Sequence, residues 1–483
     1  MIEIPFGAAE AWAIAPFTVI ALFAMGILLY ETFRTDDHGP ELTFWFSILG
    51  LAGAAIASLL AWDNGSVAFG GTFATDGVAV FTNLICILAA GLSLMMGVHY
   101  MELIRVRARE FQPLVLFAVS GMFIMGGARD LIVLFLGIEV MSIPAYVLAG
   151  IHRQDHASGE AALKYFLLGA FATSFLLYGI ALVYGATGTT TYAGISMALS
   201  TAPHLALLGG IALLIVALGF KVGVVPFHFW APDVYQGAPT AVTALMAVGI
   251  KAAAVVGTAR LFLSGFAGMH VEWSIVLWWI SVATMTLGNV VAIVQSNVKR
   301  MLAYSSVAHA GYLIAAIASG TPRGGGAILF YLLAYAFMNL GAFAVVIAVG
   351  AKDEPNEKMS DFAGLATRRP LLSGAMALFL LSLMGIPPLV GFVGKLYIIE
   401  ALIAAGQVGL GVIVILNSVV SGYYYLRVII EMFMKDATRE IPALDPRPYL
   451  MVCVAIALAG TIFFGIFPDL ALEAARDSFA ALR

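Results

Sequence analysis

Apolar runs of about 20 residues, separated by short polar segments, fill this chain almost from end to end. Such a run is long enough to cross the ~30 Å hydrocarbon core of a bilayer as one helix. The pattern predicts fourteen spans: 12–33, 42–62, 78–100, 112–128, 131–150, 161–185, 204–234, 240–263, 273–296, 300–319, 326–350, 371–404, 407–434 and 449–467. Only Gly126-Gly127-Ala128-Arg129-Asp130 splits the stretch 112–150 into two. The expected fold is an all-α polytopic membrane protein.

Two spans are overlong and contain proline. One reads GFKVGVVPFHFWAPDVY, with Pro226 and Pro232; the other reads LMGIPPLVGFVGKLYII, with Pro387 and Pro388. Proline lacks the N–H and clashes with the carbonyl four residues back. Pro226 then frees the carbonyl of Val222, and Pro387 and Pro388 free those of Leu383 and Met384. Free carbonyls at membrane depth are tolerated only against protein or water. Helices 7 and 12 are therefore expected to be broken, each with a small polar site.

Pro226 and Pro387 are 161 residues apart, as are Gln112 and Trp273, where the preceding helices begin. This spacing suggests two five-helix units, 112–263 (helices 4–8) and 273–434 (helices 9–13), flanked by a three-helix segment 1–111 and by helix 14 with a tail, 435–483. An odd number of helices reverses orientation on repetition, so the pair is expected to be inverted, a common transporter plan.

Composition narrows the class. Of 483 residues 62% are hydrophobic and 11% charged, against about 25% charged in soluble domains. Extramembrane parts are small, and the net charge of −4 says little about partners. No basic patch suggests nucleic acid. Cys86 and Cys453 are too few for an iron–sulfur cluster or a structural zinc site. No glycine-rich nucleotide loop opens a βα unit, so any redox chemistry belongs to another chain. Glu3 and Glu10 precede the first run without a basic n-region, so it reads as a retained helix rather than a signal peptide.

Loop cations set orientation. With the N-terminus outside, the inner loops hold fourteen Lys and Arg: Arg34, Arg105, Arg107, Arg109, Arg153, Lys299, Arg300, Lys352, Lys358, Arg368, Arg369, Lys435, Arg439 and Arg447. The outer segments hold four: Arg129, Arg323, Arg476 and Arg483. Both termini are then expected on the outer, periplasmic side of a bacterial plasma membrane.

Candidate chemistry lies in the spans themselves. Lys221, Lys251 and Lys395 each sit in an apolar run, and Glu139 sits mid-run in LIVLFLGIEVMSIPAYVLAG. A charged group at membrane depth costs roughly 2.5–3.5 kcal/mol on insertion scales, and such residues mark ion or proton pathways. Lys221 poised against Glu139 could hold or shed a proton. The series Glu139, Lys221, Lys251, His309, Lys395 could pass one sideways through hydrating waters. Plainer readings exist. Snorkelling accounts for Arg427 and Arg260. Lys164 can pair with Glu160, one turn away. A Glu139–lysine ion pair can simply hold helices together. His309 can be a helix-packing group, and His228 can bond carbonyls freed at the first break. Tyr423-Tyr424-Tyr425 and the tryptophans read as packing and interfacial anchors.

Four segments carry a family resemblance: KYFLLGAFATSFLLYGIALVYGATGTT (164–190), FKVGVVPFHFWAPDVYQGAPTAVTALMAVGIKAAA (220–254), NVKRMLAYSSVAHAGY (297–312) and MGIPPLVGFVGKLYII (384–399). With essentially the whole chain, they resemble the subunit N family of bacterial NADH–quinone oxidoreductase, respiratory complex I, the counterpart of mitochondrial subunit 2. The resemblance implies the antiporter-like fold, with helices 4–8 and 9–13 inverted and helices 7 and 12 broken. It implies that Glu139 modulates Lys221, that Lys221 serves the first half-channel, that Lys251 connects the halves, and that Lys395 lies on the exit side. Lys164, His228 and His309 fall in matching segments as supporting residues. Lys395 argues against the related subunit M, which has glutamate there. Ala241, where the family pattern usually has proline, and Ile250 depart without removing an ionisable group.

By the same resemblance the chain holds no cofactor. NADH, FMN, iron–sulfur clusters and most of the quinone site belong to partner subunits. The chain would translocate protons, driven by quinone reduction elsewhere. It would contact other membrane-arm subunits, including the lateral helix of the distal antiporter-like subunit. Three rivals remain: a subunit of a multisubunit Na⁺/H⁺ antiporter, a free-standing solute transporter, and a purely structural subunit whose ion pairs rigidify the assembly.

Overall fold

A computed structural model describes residues 7–34, 40–62, 66–106, 109–350, 356–437 and 448–481. Glu3 and the loop cations Arg107, Lys352, Arg439, Arg447 and Arg483 lie outside them. Among the described residues twelve helices are long and apolar enough to cross a membrane, and two shorter apolar ones, Phe111–Gly127 and Pro370–Met384, join them. Three helices form the centre. Thr240–Gly265 is wholly buried, Val298–Ala318 and Pro322–Val349 nearly so, whereas Ala8–Phe33 and Pro448–Ile466 are largely exposed.

Polar residues at the ends define the helices. Asp130 caps Leu131–Ala149, accepting from the N–H of Ile132 at 2.7 Å and Val133 at 3.2 Å. Asn297 caps Val298–Ala318 through the N–H of Arg300 at 2.9 Å. Small residues then let helices approach, as membrane packing requires. A Cβ on Gly121 would stand 2.2 Å from the backbone nitrogen of Met141, so Phe111–Gly127 and Leu131–Ala149 touch backbone to backbone. The pentapeptide expected to divide this stretch does so, with Asp130 bridged to Thr191.

The segment expected as span 204–234 comprises two helices, His204–Val222 and Trp230–Gly237. The segment expected as 371–404 comprises Pro370–Met384 and Val390–Ala404. The first helix of each ends on a glycine with left-handed backbone, Gly223 (φ +80°) and Gly385 (φ +93°). The N–H of Gly223 bonds the carbonyls of Gly219 and Phe220, and that of Val224 bonds Gly219. Gly385 and Ile386 repeat this on Leu381 and Ser382. Both are Schellman stops, which only glycine adopts without a Cβ penalty. The prolines follow two or three residues later; glycine, not proline, terminates each helix.

Some features were not foreseen. A small antiparallel hairpin pairs Ser66–Ala68 with Phe73–Thr75. Short helices occupy Tyr192–Ala198 and Asp469–Ala480. Arg260 does not snorkel: it is 1% exposed and grips Asp76, the cap of Gly77–Leu103, through two guanidinium nitrogens. Half-buried Arg427 donates to the carbonyls of Ile293 and Gln295 at a neighbouring helix end.

Candidate functional site: a buried polar axis

Lys221, at the last turn of His204–Val222, is buried and donates to the Ser142 hydroxyl at 2.8 Å and the Tyr146 hydroxyl at 3.0 Å. Both partners share a helix face with Glu139, at i+3 and i+7. Glu139 is half-buried and accepts from Thr173 at 2.7 Å. It remains an electrostatic neighbour of Lys221. Among the described residues, however, no ion pair joins the two. In place of a direct Glu139–Lys221 pair, Lys221 bonds the hydroxyls of Ser142 and Tyr146 and Glu139 bonds that of Thr173.

Lys251 begins the helical stretch Lys251–Arg260 immediately after a π-helical turn, Met246–Ile250. Such turns recur at functional sites. Its ammonium donates to the Ser306 carbonyl at 2.6 Å and contacts the Ser306 hydroxyl. The Tyr235 and Tyr335 hydroxyls lie beside the same serine.

Lys395 reaches back across the second interruption. It donates to the carbonyls of Leu383 and Met384, each at 2.9 Å, and its ammonium lies 5.0 Å from the Tyr312 ring centre. These are the two carbonyls expected to be freed there. Gly385 leaves room for the approach, since a Cβ on it would sit 3.2 Å from Lys395 Cδ.

His309 occupies the space between these lysines. Its Nδ1 lies 2.7 Å from the Tyr331 hydroxyl and its Nε2 3.2 Å from that of Tyr425, which also meets Ser305. A hydroxyl can donate or accept, so this cradle suits either neutral tautomer. Nearby, Asn289 joins Tyr312, Tyr424 and Asn417. Tyr424 and Tyr425 are thus not mere packing: both are buried and hydrogen-bonded, whereas Tyr423 is exposed.

The remaining candidates lie off this axis. His228 is half-buried and its Nδ1 has no hydrogen-bond partner among the described residues. The carbonyl of Phe220 at the first break is taken instead by the Trp230 indole at 2.9 Å. Lys164 pairs with Glu160 at 2.6 Å, as the plainer reading held, and also with Asp233 at 3.0 Å. Asp233 in turn binds Arg300 at 2.9 Å. Glu160, Lys164 and Asp233 rim a cavity of about 630 Å³ whose wall also includes Lys299 and Glu357.

The hydroxyl partners went unrecognised in the sequence, although Ser142 and Tyr146 follow Glu139 at helical spacing and Tyr312 follows His309 at i+3. Together the side chains form a series of groups that can give and take protons: Glu139, Thr173 and Ser142–Tyr146–Lys221 on one side, then Lys251–Ser306, Ser305–Tyr425–His309–Tyr331, and Lys395. No hydrogen bond links Lys221 to Lys251 or His309 to Lys395 among the described residues, so the series is segmented.

Residues 128–421 match the family model described as NADH:quinone oxidoreductase/Mrp antiporter, transmembrane. The chain belongs to this family. It is similar to NADH-quinone oxidoreductase subunit N of Trichlorobacter lovleyi, 44% identical over 468 residues covering 96% of each chain. It is likewise similar to that of Rhodospirillum rubrum, 40% identical and covering 97% of this chain and 96% of the relative. Among solved structures it resembles a chain of respiratory complex I from Thermus thermophilus with TM-score 0.82 and 35% identity, covering 95% of this chain and 99% of that one. A chain of the Mrp complex from a Dietzia species shares the fold at TM-score 0.85 and 23% identity, covering 98% and 97%.

Proposed function

We propose that this chain is the proton-translocating, antiporter-like subunit N of a bacterial NADH–quinone oxidoreductase, a multi-pass protein of the inner membrane. NADH, FMN, the iron–sulfur clusters and quinone belong to partner subunits of that complex. Here the chain's own residues move the proton.

One observation carries this reading. Lys221, Lys251 and Lys395 are each 4% exposed, and each is hydrogen-bonded only to neutral oxygens. A structural ammonium in hydrocarbon needs a counter-ion to offset its desolvation. None of these three has one within ion-pair distance among the described residues, whereas the structural cation Arg260 does. Hydroxyl and carbonyl cradles can hold a lysine as amine or as ammonium, which a proton carrier requires. Water bridging two to four polar groups can close the gaps between segments.

Lys221 then loads under the influence of Glu139, Lys251 connects the halves, and Lys395 hands the proton on past the second interruption. Lys164 and His228 support the uptake side, and His309 relays between Lys251 and Lys395. The units 112–263 and 273–434 act as inverted repeats. Support comes from Gly223 and Gly385, 162 positions apart, each ending its helix with the same pair of bonds. Each helix pair flanking them is one interrupted span, giving fourteen in all, within the frame of the leading segment 1–111 and the tail 435–483. The bias of loop cations supports termini on the periplasmic side. The lateral helix of the distal antiporter-like subunit docks along the flank.

The test is Lys221→Ala in the assembled complex, with NADH-driven acidification of inverted membrane vesicles as readout. A strong loss of pumping with normal assembly is expected. Normal pumping by the assembled variant would overturn the reading in favour of a structural subunit. Co-purification with small Na⁺/H⁺ antiporter subunits instead of NADH–quinone reductase activity would move the chain to the other branch of its family.

A further inference from the structure

The cavity of about 630 Å³ has two charged walls. One holds Lys164 and Asp233, with Lys164 on the helix bearing Tyr165. The other holds Lys299 and Glu357, and it serves nothing described so far. Lys299 is 3% exposed at its side chain and Glu357 12%, with nitrogen and oxygen 3.1 Å apart. Lys299 also donates to the Ala238 carbonyl at 2.7 Å. The other Glu357 oxygen accepts from Asn297 at 3.3 Å, and Thr240, itself hydrogen-bonded to Tyr100, donates to the first at 3.3 Å.

This pair lies at the foot of the central helix Val298–Ala318, whose next polar groups inward are Ser305, Ser306 and His309. Ser306 stands two turns from Lys299, about 10 Å along the axis and on the same face. Tyr235 approaches Ser306 from a helix packed against Val298–Ala318. It is 2% exposed, its hydroxyl lies beside Ser306, and its helix, Trp230–Gly237, contributes Gln236 and Gly237 to the cavity wall. Ser306 is the sole hydrogen-bonding residue of Lys251 among the described residues. A transfer from Lys299 by way of Ser306 to Lys251 would not involve Lys221.

We propose that Lys299 and Glu357 form a second proton-loading site, which feeds Lys251 through Tyr235 and Ser306 in parallel with the Lys221 branch. Glu357 takes a proton from a hydronium ion in the cavity and leaves water there. Lys299 gives its own to the Tyr235–Ser306 hydroxyls as those pass one to the Lys251 amine, and the resulting Lys299 amine is reprotonated from Glu357. Each step moves one proton between two bases and leaves net charge unchanged. The proposal rests on the chain being a proton translocator.

Substitutions that preserve the ion pair but not its proton exchange separate this role from loop anchoring. Lys299→Arg keeps the charge and donors, yet a guanidinium stays protonated. Glu357→Gln keeps an acceptor for Asn297 and Thr240 but carries no transferable proton, and Glu357→Asp keeps one. Proton pumping per NADH oxidised is measured in vesicles holding the whole complex, beside Lys221→Ala. Lys299→Arg and Glu357→Gln are expected to assemble normally and to lose part of the pumping while NADH oxidation persists. Glu357→Asp is expected to retain more than Glu357→Gln. Tyr235→Phe is expected to reproduce the Lys299→Arg loss. Wild-type pumping by both Lys299→Arg and Glu357→Gln, with Lys221→Ala inactive, would overturn this second site alone. Normal pumping by Lys221→Ala would overturn the translocator reading beneath it.

Discussion

Lys395 closes the helix that precedes it, with its ammonium 2.9 Å from the carbonyls of both Leu383 and Met384. The stop at Gly385 has already ended the backbone ladder there, and Pro387 and Pro388 offer those oxygens no N–H. A side chain eleven or twelve residues downstream thus does the work of backbone, and a proton leaving Lys395 alters the bonding of the break itself.

Lys395→Met should therefore damage both structure and transport. Two buried carbonyls lose their donor, at about 1–3 kcal/mol for each unsatisfied group, and the complex should melt earlier in a thermal assembly assay. Lys395→Arg retains donors and charge, so it should assemble more fully and still fail to pump. Equal pumping by Lys395→Arg and the parent would show that capping is the residue's whole task.

Tyr146→Phe removes one of two hydroxyls holding Lys221 and leaves the ring against Tyr165. A hydrogen bond to a charged group is worth about 1.5–3 kcal/mol, so a slowing of pumping of about ten- to a hundredfold is expected, since about 1.4 kcal/mol corresponds to a factor of ten. Membrane content of the subunit should stay unchanged on immunoblot.

Asp76→Asn tests the contrast between structural and mobile charge. It weakens the grip on buried Arg260. Breaking a buried pair costs about 3–5 kcal/mol, so the subunit should be depleted from membranes. Pumping per assembled complex should match the parent, because this pair lies off the proton series.

Gly121→Ala should disturb the site without touching it. The new methyl would meet the Met141 nitrogen at 2.2 Å. Overpacking of this kind costs about 1–3 kcal/mol. Met141 adjoins Ser142, so the shift should reach Lys221, and pumping should fall further than assembly does.

The lysines were legible because a charge in an apolar run has no ordinary excuse, and the two interruptions because glycine and proline punctuate any helix. What the lysines bind was not. Ser142 and Ser306 come to Lys221 and Lys251 from 79 and 55 residues away, and serine and tyrosine are common in membrane helices. Arg260 misled for the same reason: its partner lies 184 positions earlier. The expected Glu139–Lys221 contact failed because helical spacing fixes which residues share a face, not which of them a neighbour's side chain reaches.

The wholly buried helix Thr240–Gly265 has one more implication. Lys251 rides on it and never sees acyl chains, whereas Glu139 rides on Leu131–Ala149, flanked by the exposed Leu136, Val140 and Ile143. A lipid or partner subunit seated against this chain therefore touches the Glu139 helix directly and reaches the Lys251 helix only through the chain's other helices.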